Sequence, residues 1–84
     1  MHDKALADYR NEIDLCDREI AALLSRRFAI ARLIGQGGLK KQIKDEAREQ
    51  EVFRNIRQAA GAEFAENAAA VYIEIIRQSR KVQE

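Results

Sequence analysis

The stretch LADYRNEIDLCDREIAALLSRRFAIARLI, residues 6–34, decides the fold of this 84-residue chain. Its apolar residues recur at steps of three and four, which is the spacing of one face of an α-helix. These residues are Leu6, Tyr9, Ile13, Cys16, Ile20, Leu23, Ile30 and Ile34. Because the stretch contains no Pro and no Gly before Gly35, it predicts one uninterrupted helix over about residues 4–34.

The length of this helix favours a dimer. At a rise of 1.5 Å per residue, roughly 30 residues make a rod of about 45 Å. A compact chain of this size would be only about 30 Å across, from a radius of gyration near 12 Å. The helix would therefore project from its own globule, and a second copy of the chain is the simplest partner to cover the overhang.

One position of the apolar stripe carries a charge. Between Leu23 and Ile30, the residue on the apolar face is Arg27. A helix–helix interface usually has an aliphatic residue at such a position. Burying an unpaired charge is costly. A guanidinium on this face therefore needs an anion.

The composition argues against several classes of function. Fifteen basic and 14 acidic residues give a net charge of +1, and they are mixed along the chain, which argues against nucleic-acid or membrane-surface binding through bulk charge. No apolar run approaches the roughly 18 residues of a membrane span, and no signal-peptide pattern follows Met1, so we expect a cytoplasmic protein.

The single cysteine, Cys16, is expected to be a small core residue. The only histidine, His2, lies at the terminus, and no metal site is predicted.

Glycines and a capping residue divide the rest of the chain into two further helices. Three glycines between Gly35 and Gly38 predict the end of the first helix and a loop through residue 42. Asp45 is a good N-cap for a second helix that ends at Gly61. A third helix is predicted from about residue 63 to the end. The apolar faces of these helices comprise Val52, Phe53 and Ile56, then Phe64, Ala68, Val71, Tyr72, Ile75, Ile76 and Val82.

Each helix also carries polar residues on its apolar face. They are Arg27, then Arg48 with Glu49, then Ser79 with Gln83. One interpretation is a structural ion pair of Glu49 with Arg27 or Arg48. The other is a pocket for a small polyanion, which the excess of arginine over glutamate favours. With no candidate nucleophile and base, such a pocket would suit a reaction that needs only conformational restraint and electrostatic help.

Five spaced segments of the chain resemble the all-α (AroQ-type) chorismate mutases, in the right order and over nearly the whole length. The segments are Arg10-x-x-Ile13-x-x-x-Asp17, Leu23-Leu24-x-x-Arg27, Ile34-Gly35, Asp45-x-x-Arg48-Glu49 and Ile75-Ile76-x-x-Ser79-x-x-x-Gln83. The resemblance implies a single helical domain over residues 1–84, with three helices per chain in an intertwined homodimer. It also implies a cofactor-free [3,3] rearrangement of the dianion chorismate to prephenate, in aromatic amino-acid biosynthesis by the shikimate pathway.

The resemblance also implies a role for each arginine of these segments. Arg27 and the partner subunit's Arg10 would clamp the carboxylates of chorismate, which is held in a folded, diaxial conformation. Arg48 would help from the start of the second helix.

Four further positions of the same segments would complete the site. Glu49 would accept a hydrogen bond from the ring hydroxyl, and Gln83 would donate one to the ether oxygen, where negative charge grows as the C–O bond breaks. Ser79 and Asp45 would lie at the substrate.

One position departs from the family pattern. Where the family usually has a lysine that contacts the ether oxygen, this chain has Gly38, and the loop to Asp45 looks about two residues shorter than in the mutase compared. A helix break at the glycines would let Lys41, or less favourably Lys40, approach the ether oxygen from a lid. Alternatively, both lysines are simply solvated.

This departure leaves other functions open. An isochorismate pyruvate lyase, or a related chorismate-type mutase, would use the same fold and a similar pericyclic step. A non-catalytic helical dimerisation or regulatory module is a further alternative. The retention of Glu49, Ser79 and Gln83 argues against such a module, because a packing module would gain stability from aliphatic residues there.

Overall fold

The computed structural model of the chain describes residues 2–39 and 44–84. Within these residues there are three helices and no strand: α1 spans His2–Gln36, α2 spans Glu46–Ala60 and α3 spans Ala65–Gln83. This confirms the all-α fold with one long N-terminal helix. Helix α3 packs against both other helices, whereas α1 and α2, over the described residues, do not pack directly against each other.

Helix α1 is much longer than the body on which it rests. Its 35 residues make a rod of about 52 Å, in a molecule measuring 57 × 25 × 15 Å with a radius of gyration of 16.2 Å. A compact chain of this length would have a radius near 12 Å. The predicted overhang is therefore present, and every residue from 4 to 23 is exposed in the single chain.

The buried core of the single chain is small. Only Ala31, Ala69 and Ile76 are buried apolar residues among those described. Large apolar residues stay exposed along the overhang, namely Leu6, Tyr9, Ile13, Leu15, Ile20 and Leu23. Cys16, expected as a core residue, is exposed as well, because neither α2 nor α3 reaches that part of α1. No helix among residues 2–39 and 44–84 has both the length and the apolar character that a membrane span requires.

The predicted apolar face of the third helix needs correction at two residues. Phe64 and Val71, predicted on its buried side, are 58% and 60% exposed. Helix α3 begins at Ala65, so Phe64 is its N-cap, and Val71 lies on a side that no described element covers.

The ends of α2 follow local chemistry. Asp45 is the N-cap, and its Oδ1 accepts a hydrogen bond from the backbone N–H of Arg48 at 3.1 Å. Gly61 follows the last turn with φ 84°, a value that favours glycine, and its N–H donates to the carbonyl of Arg57. Both predicted ends are confirmed.

Gly35 does not end α1, contrary to the prediction. The helix continues to Gln36, and the turn comes at Gly37 and Gly38, of which Gly38 has φ 62°. A Cβ at Gly35 would lie 2.4 Å from the carbonyl oxygen and 2.7 Å from the Cα of Gln83. This glycine therefore lets the C-terminal ends of α1 and α3 touch backbone to backbone.

Candidate functional site

A cavity of about 520 Å³ lies where the three helices meet; we call it the interhelical cavity. Its volume is in the range of small-molecule pockets. Its apolar lining consists of Ile30, Ala31, Ile34, Leu39, Val52 and Ile76. Its polar lining consists of Arg27, Asp45, Arg48, Glu49, Ser79, Arg80 and Gln83. The structure thus brings together six of the residues that sequence reasoning named, from all three helices and the α2 cap.

Arg27 is held from two sides within the cavity. Its Nη1 donates a hydrogen bond to Ser79 Oγ at 2.5 Å, and Ser79 in turn donates to the carbonyl of Ile75 at 2.8 Å. The guanidinium carbon also lies 5.6 Å from the centre of the Tyr72 ring, within the range of a cation–π contact. Ser79 is only 7% exposed. These neutral contacts orient the guanidinium and leave its charge uncompensated.

The predicted ion-pair alternative for Arg27 is wrong. Over the described residues, no carboxylate lies within ion-pair distance of Arg27, and Glu49 pairs with neither Arg27 nor Arg48. Glu49 Oε2 instead lies 3.7 Å from Arg80 Nε. Arg27 is therefore a half-buried cation for which an anionic ligand is the obvious counter-charge.

Sequence reasoning missed Arg80. It belongs to the run RQSRK, which has the appearance of a solvated surface. The signal was nevertheless present, because Ile76, Ser79, Arg80 and Gln83 occupy positions i, i+3, i+4 and i+7 of one helix face. The Arg80 and Glu49 side chains are only 30% and 20% exposed.

Arg48 lies at the rim rather than on a buried face. Its side chain is 60% exposed and pairs with Glu51, one turn further along α2. This corrects the prediction that Arg48 shares the buried face with Glu49. Asp45 also lines the cavity, where its carboxylate is occupied as the N-cap of α2. Gln83 lines the opposite side, next to Gly35.

A further predicted residue, Arg10, lies far from the cavity of its own chain. Arg10 is exposed on the overhang, 17 residues before Arg27 and therefore about 25 Å away along the helix axis. It does not line the cavity of its own chain. Lys40 and Lys41 lie outside the described residues, so the proposed lid stays a prediction.

A second depression, of about 590 Å³, lies between α2 and α3 on the opposite side of α2. It is the more open of the two, and α1 contributes nothing to it. One of its cations, Arg57, is already bound by Glu66 at 2.8 Å on the exposed surface. The interhelical cavity is therefore the better candidate site, because it is more enclosed and holds Arg27, a cation with no counter-ion among the described residues. Over the described residues, no group of three or more His, Cys, Asp and Glu side chains is arranged to hold a metal ion.

The comparisons with known proteins give one positive result. Searches of curated proteins and of solved structures each found no match. The family model for chorismate mutase type II matches residues 9–84, nearly the whole chain. The match covers most of α1, all of α2 and α3, and every described residue that lines the interhelical cavity. On this basis, the chain belongs to the chorismate mutase type II family.

Proposed function

We propose that the protein converts chorismate to prephenate, as a homodimer and without a cofactor, in the cytoplasm. The observation that carries this proposal is Arg27, a half-buried guanidinium that Ser79 and Tyr72 orient and that no described carboxylate neutralises. Such a cation is suited to hold a carboxylate of the substrate, because guanidinium and carboxylate form two parallel hydrogen bonds.

The lining of the interhelical cavity suits this substrate. Its apolar residues offer a surface for the carbon ring and the enolpyruvyl group. Among the residues that the structure describes, its charged lining is three arginines and two carboxylates, which leave an excess of one positive charge for a dianion. The partner subunit's Arg10 would raise that excess to two.

The proposed rearrangement requires few catalytic groups from the protein. In the [3,3] rearrangement one C–O bond breaks and one C–C bond forms within a single molecule, so no external nucleophile, proton donor or oxidant takes part. The site would hold the reactive folded conformer and stabilise the charge that develops on the ether oxygen. Gln83 is suited to donate a hydrogen bond to that oxygen. Glu49, on the facing helix, is suited to accept one from the ring hydroxyl.

The overhang of α1 supports the proposed dimer. Its exposed apolar stripe needs a cover that α2 and α3 of the same chain do not supply, and a symmetric partner would bury both overhangs at once. An antiparallel arrangement of the two α1 helices would bring Arg10 of each chain towards the cavity of the other. The site would then be complete only in the dimer.

A product assay tests the proposal directly. The purified protein is given chorismate, and loss of chorismate and formation of prephenate are followed; in parallel it is given isochorismate, and salicylate and pyruvate are measured. We expect prephenate from chorismate. Salicylate and pyruvate from isochorismate would instead identify a lyase of the same fold.

Matched arginine variants connect the activity to the cavity. Arg27→Ala is expected to lower kcat/KM by about 100-fold or more with helicity retained. Arg26→Ala, which removes the exposed neighbouring arginine, serves as the control and should stay close to wild type. If calorimetry detects no binding of chorismate or of a bicyclic dicarboxylate that mimics the transition state, the chain is a non-catalytic helical module.

A further inference from the structure

We infer that Arg80 is a substrate-binding residue that holds a carboxylate of the substrate in the interhelical cavity. The inference rests on the proposed function and adds a residue to it. Arg80 lies on α3 between Ser79 and Gln83, and lines the same cavity as both. Its position thus gives it access to any ligand that reaches its neighbours.

The hydrogen-bonding state of Arg80 supports this role. Its Nε is buried, yet it donates a hydrogen bond to no described residue. The nearest carboxylate oxygen, Oε2 of Glu49, lies at 3.7 Å, which is beyond hydrogen-bond distance. A buried donor without an acceptor is unfavourable. A ligand carboxylate in the cavity would supply the missing acceptor.

A comparison within α3 separates Arg80 from an ordinary surface arginine. Arg77, one turn earlier, is exposed and makes two hydrogen bonds to Glu74, at 2.6 and 2.7 Å. Its donors are therefore already used on the surface, away from the cavity. Arg80 is the more buried of the two, and its contact with Glu49 is only an ion pair at long distance.

The charge of the cavity gives the third argument. Without Arg80, the described residues of its lining would hold two arginines and two carboxylates, with no net charge. The described residues of one chain would then offer a dianionic substrate no net attraction. Arg80 gives this described lining its net positive charge. That charge favours binding of the dianion in both the ground state and the transition state.

This role predicts a specific kinetic signature. A cation that holds a carboxylate away from the breaking bond stabilises the ground state and the transition state alike, so its removal raises KM more than it lowers kcat. We expect Arg80→Gln to raise KM about tenfold or more, and to lower kcat by less than about threefold. Arg80→Lys, which keeps the charge but loses the planar fork, should recover part of the loss. Arg77→Gln is the matched control and should leave both constants unchanged.

Removing Arg80 also leaves Glu49 without its ion pair, so a double-mutant cycle is needed. Binding of the bicyclic dicarboxylate is measured by calorimetry for wild type, Arg80→Gln, Glu49→Gln and the double variant. Direct binding predicts that Arg80→Gln weakens affinity about tenfold in both backgrounds. If the effect disappears in the Glu49→Gln background, Arg80 only offsets the charge of Glu49 and the inference is wrong.

The outcomes separate the inference from the proposed function. Wild-type protein that neither converts nor binds chorismate refutes the proposed function, and the role of Arg80 with it. Active wild type with an unchanged Arg80→Gln variant refutes the role of Arg80 alone. Circular dichroism checks that each variant folds. Should Arg80→Gln lose its helicity, Arg80→Met, which keeps an apolar stem, takes its place in the same measurements.

Discussion

Replacing Gly35 by alanine should damage activity far more than stability. The added Cβ would lie 2.4 Å from the carbonyl oxygen of Gln83 and 2.7 Å from its Cα. A normal carbon–oxygen contact is about 3.4 Å, so the end of α3 would have to move by about 1 Å. The obstructing atoms are backbone, and a change of side-chain rotamer cannot relieve the clash.

The two effects of this substitution on stability oppose each other. Alanine gains about 1 kcal/mol over glycine inside a helix, whereas overpacking costs about 1–3 kcal/mol. The net loss is thus between about 0 and 2 kcal/mol, and about 1 kcal/mol corresponds to 4–8 °C in Tm for a domain of this size. Displacing Gln83 by about 1 Å at the reacting centre can cost about 100-fold in rate.

The assay compares kcat/KM and Tm of Gly35→Ala with those of Gly37→Ala. The atoms nearest to a Cβ at Gly37 would be Leu33 O at 3.2 Å and the Leu39 side chain at 3.3 and 3.6 Å, which lie at or just beyond the end of α1 and not on α3. We expect Gly37→Ala to keep most of the activity. Wild-type kcat/KM in Gly35→Ala would refute the reasoning, because it would mean either that α3 does not move or that Gln83 has no part in the reaction.

Three further predictions concern assembly, acid stability and the loop. Light scattering should find a dimer at micromolar concentration, and Cys16, exposed in the single chain, should react slowly with thiol reagents; a folded monomer would contradict both. Hydrogen bonds from Arg77 and Gln78 lower the pKa of Glu74 to about 2, from 4.5. Its contribution to stability is therefore present above pH 4.5 and is lost as the pH falls towards 2. Between pH 4.5 and 2, the Tm of Glu74→Gln should therefore fall less than the Tm of wild type. The difference should be small because the Glu74–Arg77 pair is exposed, and equal decreases in Tm would refute this prediction. Lys41→Ala, or failing that Lys40→Ala, should lower kcat/KM by about tenfold if a loop lysine acts on the ether oxygen; if neither does, the lid hypothesis is wrong.

The sequence predicts those features of the fold that depend on local chemistry. Asp45 caps α2 through its own side chain, Gly61 ends it with a positive φ, and residues 6–34, which contain no Pro or Gly, lie within one unbroken helix. In each case the cause lies within a few residues of the effect, so a single sequence contains it.

Features that depend on contacts between helices were harder to predict. Gly35 looks like a helix end because a glycine weakens a helix locally, and only its contact with Gln83 explains why the helix continues. Arg80 looks like a surface residue because charged neighbours surround it, although its Nε is buried. Arg48 pairs with Glu51 at the rim of the cavity, a choice between rotamers that periodicity does not reveal.

The uncovered half of α1 has a consequence for how activity depends on concentration. Most of the stability of a helix in a protein comes from tertiary packing of its apolar face, and residues 4–23 are all exposed in the single chain. In the proposed dimer, helix formation, association and completion of the site would therefore be one coupled equilibrium, governed by mass action. Dilution would then lower the specific activity per chain and the helical content together. The concentration of active dimer would rise more steeply than the total protein concentration. Where monomers predominate, it would rise as the square of the total protein concentration.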